Sequence, residues 1–270
     1  MFFKRFLIAL SYVTSLPTGK KHLYAGISRD GQPDPDLLSG LSGLAPYLPA
    51  VGLVIGLLLL ALNLALQAIA SSPSMASIIL TITWLCLTGG LHFDGLMDTA
   101  DGIFCHQSQE RMLEIMSDSR VGNFGVLAGV VVFLLKATAL FNLVQHQPLI
   151  LAALILIPAW GRYCELYAIG QFPYAKKEGK GKVFHQSTRK IDMAYGAIVP
   201  ITGSLAVAMF AGALPVVLVT GATIIAGFVA SHWLFHHLKG QTGDTYGAIV
   251  ELSETGGLVA AALLAGYVPL

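Results

Sequence analysis

Long apolar runs separated by short polar breaks dominate the chain. Most of these runs approach the ~20 residues with which a helix crosses a bilayer, and they lack the period-two alternation of barrel strands. The runs are 51–70, 76–91, 124–144, 149–169, 194–214, 216–235 and 249–267. The second run is short enough for a broken or tilted helix. This pattern predicts an all-α polytopic membrane protein with about seven transmembrane helices.

The first residues carry basic side chains followed by a short apolar run, a combination that imitates a signal peptide. Residues 1–21 lack a convincing small-x-small cleavage site. We therefore expect a retained short N-terminal helix, interfacial or partly inserted. Because no internal repeat, low-complexity tract or linker divides the chain, residues 1–270 are predicted to form a single integral membrane domain.

Charged residues are concentrated in alternate connections between the apolar runs. The connections 71–75 and 145–148 contain no Lys, Arg, Asp or Glu. Nearly every charge lies in the N-terminal arm and in segments 92–123, 171–192 and 236–248. With seven spans these charged segments share one face of the membrane, and the positive-inside rule makes that face cytoplasmic. We expect the active site on this face.

Composition agrees with a membrane protein. Only 11% of the residues are charged and 55% are hydrophobic, whereas soluble domains are about a quarter charged. The net charge is +1 and there is no basic domain, so we predict no nucleic-acid partner. The three cysteines are widely spaced and form neither a disulfide framework nor a zinc pattern.

Three aspartates stand where the second apolar run ends, in the segment GGLHFDGLMDTADGIF. If this segment is helical, Asp94, Asp98 and Asp101 lie within about 60° of one another on one face. Carboxylates at that spacing repel each other unless a cation lies among them. Oxygen ligands and octahedral geometry favour Mg²⁺, or Mn²⁺ as a substitute, with substrate phosphate and water completing the shell.

The segment after the aspartates, QERMLEIMSDSRVGNFG, has the pattern of an amphipathic helix that ends in a turn. Glu110 and Glu114 fit the solvated face of an interfacial helix. Asp118 and Arg120 are stronger candidates for the site. The carboxylate suits a metal ligand or a base, and the guanidinium suits a phosphate clamp.

Segment 171–192 is rich in basic residues, and two interpretations of it remain open. It is either a topology signal that contacts anionic lipid or a flexible basic lid over a phosphorylated substrate. Its basic residues include Lys176, Lys177, Lys180, Lys182, Arg189 and Lys190. The histidines near the charged segments show no zinc spacing, and we expect solvated or interfacial positions for them. They are His92, His185, His236 and His237.

Five ionisable residues interrupt the apolar runs, where each costs roughly 2.5–3.5 kcal/mol at the bilayer centre. The simplest interpretation is snorkelling or structural ion pairs, and the alternative is a polar chamber open to the cytoplasm. The five are Lys136, Arg162, Glu165, Glu251 and Glu254. Asp244 precedes the last two in the glycine-rich segment GQTGDTYG.

Phosphoryl transfer at a membrane surface needs acidic residues that bind a metal ion and basic loops that bind phosphate. The metal ions neutralise the phosphates, and a carboxylate orients the attacking hydroxyl. These residues predict a membrane phosphotransferase that acts on a pyrophosphate-linked substrate.

The same residues resemble the cobalamin synthase family, the adenosylcobinamide-GDP ribazoletransferases. The matching segments are GGLHFDGLMDTADG, RMLEIMSDSRVGNFG, FPYAKKEGKG and GQTGDTYGAIVELSE. They follow the family order and spread over most of the chain. Phe93 and Met97 depart from the smaller or aliphatic residues that are more usual in the family. The first 40 residues match poorly.

The resemblance implies a Mg²⁺-dependent reaction at a bacterial inner membrane. The 3′-hydroxyl of α-ribazole, or of its 5′-phosphate, attacks the cobinamide-linked phosphorus of adenosylcobinamide-GDP, and GMP leaves. Adenosylcobalamin or its 5′-phosphate forms. Further partners would be the lipid bilayer, other cobalamin-assembly enzymes or a second copy of the chain.

Residue roles follow from positions in the matching segments. Asp94, Asp98 and Asp101 would hold Mg²⁺ on the pyrophosphate. Asp118, Arg120 and Asp101 would form the catalytic centre, with Asp118 as a metal ligand or base and Arg120 on the transferring phosphate. The substrate-binding residues would be Lys176, Lys177, Lys180, Lys182, Asp244, Glu251 and Glu254.

Two other classes of protein share part of this pattern. A CDP-alcohol phosphotransferase also uses an aspartate-rich helix. Its usual pattern places Ala-Arg after D-G-x-x, whereas in this chain Asp98 comes directly after the D-G-x-x that begins at Asp94. A secondary transporter would use the intramembrane ionisable residues as an ion path, although such sites usually lie near the midplane of inverted repeats. The sequence leaves open the identity of the base, the number of metals, the choice between α-ribazole and its phosphate, and the oligomeric state.

Overall fold

The computed structural model describes residues 2–17 and 40–268, and its regular elements are helices. The N-terminal charges at positions 18–39 lie outside the described residues. The α-helices are α1 (Phe2–Val13), α2 (Leu48–Ala68), α3 (Pro73–Leu87), α4 (Leu91–Phe104), α5 (Gln109–Ile115), α6 (Asn123–Leu143), α7 (Gln147–Gln171), α8 (Lys180–Ser187), α9 (Lys190–Ala211), α10 (Ala213–Leu238) and α11 (Gly243–Leu264). The all-α prediction is confirmed.

In the described part of the chain, six helices are long and apolar enough to cross a membrane. They are α6, α7, α9, α10 and, with short flanking turns, α2 and α11. Helices α3 and α4 pass the same test together but are bent by 88° where they meet. The prediction of about seven spans is therefore confirmed as six helices and one bent pair.

Two glycines cause the bend between α3 and α4. Gly89 and Gly90 have φ angles of +60° and +74°, a left-handed conformation that residues with a Cβ atom rarely adopt. The run 76–91 is consequently broken, because α3 ends at Leu87 and α4 starts at Leu91. All three aspartates lie on the second arm, so the helix that their spacing requires is present.

The predicted N-terminal helix is also present. One side of α1 packs against α2 and buries Ala9, Leu10 and Val13. The chain then runs to the end of α3, where the Ser15 amide donates a 2.9 Å hydrogen bond to the Leu87 carbonyl. This contact places α1 beside the α3–α4 bend.

Helix α7 forms the centre of the bundle and packs against α2, α9, α10 and α11. Helix α11 in turn packs closely against α4. A Cβ atom added at Gly95 would lie 2.6 Å from the Asp244 carbonyl oxygen, and one added at Gly247 would lie 2.9 Å from that of His92. The missing side chains allow the two backbones to touch, so α4 and the start of α11 form one wall.

The charged connections meet at one end of the bundle. The Ala175 amide donates a 2.8 Å hydrogen bond to the Gln241 carbonyl, and the Gln241 amide donates one of 2.8 Å to Pro173. Gln109 donates from Nε2 to the Leu238 carbonyl over 2.8 Å. Short turns that contain no Lys, Arg, Asp or Glu, residues 69–72 and 144–146, join the long helices elsewhere. The bundle therefore has one polar end.

Candidate functional site

A cavity of about 600 Å³ opens at the polar end. Helices α4, α7 and α11 line it together with the loop between α7 and α8 and one side of α1. A neighbouring cavity of about 680 Å³ beside the α3–α4 bend shares Asp94 with it. Four predicted site residues line the first cavity: Asp94, Lys176, Lys180 and Asp244.

The acidic wall of this cavity comes from two helices. Asp94 is exposed on α4 and Asp98 is half-buried one turn further on. The Asp98 carboxylate interacts electrostatically with Asp94, Asp244 and Lys176. Lys176 donates from Nζ to Asp244 Oδ2 over 2.8 Å. Negative side chains are thus gathered at the mouth, where a lysine offsets part of their charge.

Asp101 has a different environment from the other two aspartates of α4. Its carboxylate is 8% exposed and accepts hydrogen bonds from the backbone amides of Gly122, over 2.7 Å, and Gly125, over 2.8 Å. These amides belong to the N-cap residue and the first turn of α6, where a carboxylate satisfies unpaired donors and interacts favourably with the helix dipole. In this arrangement both Asp101 oxygens cap α6, and the side chain does not line the cavity.

We expect Asp101→Asn to destabilise the protein by about 1–2 kcal/mol. An amide has one accepting oxygen and no charge, so one of the two α6 amides loses its partner. Thermal unfolding in detergent measures the loss. Asp118→Asn, on an exposed turn, is the matched control and should unfold like wild type. Unchanged stability in Asp101→Asn, with activity lost, would instead favour the predicted metal-ligand role.

The cavity fits an open Mg²⁺ site better than a closed one. Among the residues that the structure describes, no three His, Cys, Asp or Glu side chains are arranged to enclose a metal ion. Mg²⁺ in phosphate chemistry is usually held by one or two carboxylates, with water and substrate phosphate completing the octahedron. Asp94 supplies such hard oxygen donors beside open space, and the half-buried Asp98 interacts electrostatically with it one turn further along α4. The Asp101 oxygens are engaged with α6.

Asp118 and Arg120 bind each other on an exposed turn. Arg120 donates from Nη2 to Asp118 Oδ2 over 2.6 Å and from Nε to Oδ1 over 3.0 Å. These hydrogen bonds lower the pKa of Asp118 to about 2, a value far from that of an efficient base at neutral pH. The preceding residues Met116 and Ser117 line the cavity, whereas the ion pair itself does not.

The predicted basic loop divides into two parts. Lys176 and Lys180 line the cavity, while Lys182 donates from Nζ to the Lys177 carbonyl outside it. The backbone hydrogen bonds between Pro173, Ala175 and Gln241 anchor the loop, and burial raises the pKa of the adjoining Tyr174 to about 12. The loop is therefore fixed to the start of α11 at its base.

Glu251 and Glu254, predicted to bind substrate, are 2% and 0% exposed and do not line the cavity. Lys136 donates from Nζ to Glu251 over 2.6 Å and to Glu254 over 2.7 Å, and Arg162 donates to the other Glu254 oxygen. We call these four residues the buried ion cluster. Its two cations compensate its two carboxylates, so the structure agrees with the ion-pair interpretation, with pairing between helices.

The cavity residues that the sequence did not assign to the site include His92, Glu165 and Tyr246. The expectation that His92 is solvated or interfacial is wrong, since it is 2% exposed between α4 and α11. Nothing in the spacing of Tyr246 distinguishes it from a core aromatic residue. Glu165 could have been found from the sequence, because a carboxylate inside an apolar run is costly in a membrane and therefore indicates a functional position.

The fold and the site define a polytopic membrane protein with a cavity suited to phosphate-bearing substrates at one end. The chain belongs to the cobalamin-5-phosphate synthase family, whose family model matches residues 5–262.

Several relatives carry the name adenosylcobinamide-GDP ribazoletransferase. The protein from Synechococcus sp. is 40% identical over 79% of this chain and 84% of its own length. The protein from Synechocystis sp. is 37% identical over 78% and 82%, and that from Fusobacterium nucleatum is 32% identical over 93% and 94%. No solved structure matches the chain.

Proposed function

We propose that the protein transfers the cobinamide-phosphate moiety of adenosylcobinamide-GDP to the 3′-hydroxyl of α-ribazole or of its 5′-phosphate. The family match supports the proposal along nearly the whole chain, and the relatives are named for this reaction. The observation that carries it is the cavity lined by Asp94, Asp244, Lys176 and Lys180. Asp98 does not line this cavity but interacts electrostatically with Asp94, Asp244 and Lys176.

In this reaction the O–H bond of the attacking hydroxyl breaks, its proton passes to water, and an O–P bond forms at the cobinamide-linked phosphorus. The P–O bond to the GMP phosphate breaks, and GMP leaves with the electron pair of that bond. The product is adenosylcobalamin, or its 5′-phosphate when the acceptor is α-ribazole 5′-phosphate.

The residues at the mouth of the cavity would bind and orient the pyrophosphate. Asp94 and Asp98 would hold Mg²⁺, which would neutralise phosphate charge and polarise the leaving group. Lys180 would meet phosphate oxygens directly, and Lys176 would exchange part of its contact with Asp244 for one with the substrate. The Asp244 carboxylate would then keep this lysine in reach of the phosphates.

We also propose that the polar end faces the cytoplasm. The charge asymmetry between the two ends of the bundle supports this orientation through the positive-inside rule. A bacterial inner membrane then supplies both the bilayer and access to nucleotide substrates.

The assay uses the full chain in detergent with adenosylcobinamide-GDP, α-ribazole and Mg²⁺. We expect GMP and adenosylcobalamin in equal amounts, no product after chelation of the metal, and recovery with Mg²⁺ or Mn²⁺. Chromatography of the nucleotides and corrinoids measures both. Solute or ion uptake by vesicles that hold the protein, without GMP, would contradict the proposal and favour the transporter.

A further inference from the structure

The cavity has a floor whose chemistry differs from that of its mouth. The floor consists of His92 on α4, Glu165 on α7 and Tyr246 on α11, which are 2%, 8% and 3% exposed. The charged residues at the mouth, Asp94 and Lys180 among them, are far more accessible. The floor is therefore a deeper part of the same site, built from three different helices.

The polar atoms of the floor need partners. Among the described residues, Glu165 Oε2, the Tyr246 hydroxyl and both ring nitrogens of His92 have no hydrogen-bond partner. His92 Nε2 and Glu165 Oε2 are 3.8 Å apart, too far for a hydrogen bond. Because buried polar groups in native proteins are nearly always hydrogen-bonded, four such buried atoms on three residues that line one cavity point to a ligand that completes them when it enters.

The position of these atoms is well defined. The contact between α4 and α11 at Gly247 holds the His92 backbone in place. Tyr246 precedes that glycine, and Glu165 projects from the central helix α7. A group bound here would meet a fixed set of donors and acceptors, as specific recognition requires.

The chemistry of the floor selects a neutral group. Glu165 offers an acceptor oxygen, Tyr246 offers a hydroxyl that donates or accepts, and an uncharged His92 offers one donor and one acceptor. The lysines that line the cavity, Lys176 and Lys180, lie at the mouth, so a phosphate would find its counter-charges there and not at the floor. The positions of the charged side chains therefore orient the substrate, with its phosphates at the mouth and a neutral hydrogen-bond donor at the floor.

We propose that the floor binds a ribose hydroxyl of a nucleoside substrate, with Glu165 accepting the hydrogen bond and Tyr246 sharing the contact. This inference rests on the proposed transfer reaction, in which both substrates carry ribose. The ribose belongs either to α-ribazole or to the guanosine of adenosylcobinamide-GDP. Glu165 and Tyr246 are then specificity-determining residues of the reaction.

Tyr246→Phe and Glu165→Gln test the proposal in the full-length protein. We expect each to raise KM by about tenfold for one of the two substrates and to leave KM for the other unchanged. A rise for α-ribazole assigns the floor to the acceptor, and a rise for adenosylcobinamide-GDP assigns it to the guanosine ribose. Tyr267→Phe and Glu110→Gln change an exposed tyrosine and an exposed glutamate outside the cavity and serve as matched controls.

Deoxyribose analogues give a second measurement that does not depend on the variants folding well. Wild-type protein should bind the 2′-deoxy or 3′-deoxy form of the relevant nucleoside about tenfold more weakly, by calorimetry. In Tyr246→Phe the same analogue should lose less than this factor, because the contact is already gone.

Two outcomes would overturn the inference. In one, both folded variants keep both KM values. In the other, wild-type protein binds deoxy and ribo forms of both nucleosides equally well. Neither outcome affects the proposed function as long as wild-type protein releases GMP, whereas absence of GMP release from wild type would refute the proposed function itself.

Discussion

Asp94→Asn should lower GMP release by about 100-fold or more while the protein still folds and inserts. Asp94 is exposed on the wall shared by both cavities, so its replacement by a side chain of equal size should cost little stability. Removal of a carboxylate from an open Mg²⁺ site weakens metal binding and charge neutralisation, which together are worth several kcal/mol. Initial rates of GMP release over a range of Mg²⁺ concentrations measure the effect.

The matched control for this prediction is Glu114→Gln. Glu114 is also an exposed helical carboxylate, and it pairs with Arg111 at 2.7 Å on α5, away from the cavity. We expect wild-type rates from it. Partial recovery of Asp94→Asn at high Mg²⁺ would identify a metal ligand rather than a substrate contact. Full activity of Asp94→Asn at limiting Mg²⁺ would refute the assignment.

Lys136→Met should lower the free energy of unfolding by about 3–5 kcal/mol. Lys136 is fully buried and bridges Glu251 and Glu254, with the Trp84 ring 5.0 Å from its Nζ atom. Methionine has nearly the same length but carries no charge, so two carboxylates would share only Arg162. Thermal unfolding in detergent, followed by intrinsic fluorescence or circular dichroism, measures the change.

A double variant separates the loss of charge balance from the loss of packing. Lys136→Met with Glu251→Gln again has one cation and one carboxylate in the cluster, and it should recover a large part of the lost stability. Lys190→Met, at an exposed position, should unfold like wild type. If the single variant were as stable as wild type, the cluster would contribute nothing to stability.

Local periodicity was sufficient to predict the helices but not the partners of their polar side chains. The apolar runs correctly gave the spans, because a span depends on residues close together in the chain. The helix over 94–101, which the aspartate argument assumed, is present. Glu251 and Glu254 are three residues apart and so share a helix face, but this spacing does not identify Lys136 as their partner. That lysine lies 115 residues from Glu251 in the sequence, and only the packing of α6 against α11 brings them together.

Asp101 illustrates the same limit within the site. By spacing it belongs with Asp94 and Asp98, and a pattern of carboxylates cannot show which of them a neighbouring helix uses. The start of α6 lies next to Asp101 because Gly122 and Gly125 lack side chains there: a Cβ atom at either would collide with its carboxylate. The floor residues escaped detection because His92 and Tyr246 show no periodic or motif signal of their own.

The buried ion cluster also has a consequence for biogenesis. Lys136 lies on α6 and Arg162 on α7, while both carboxylates lie on α11. Since the ribosome makes the chain from the N-terminus, two cations must enter the bilayer well before the anions that neutralise them exist. Each unpaired cation costs roughly 2.5–3.5 kcal/mol at the bilayer centre, so we expect the earlier helices to become fully stable in the membrane only when α11 inserts and pairs with them.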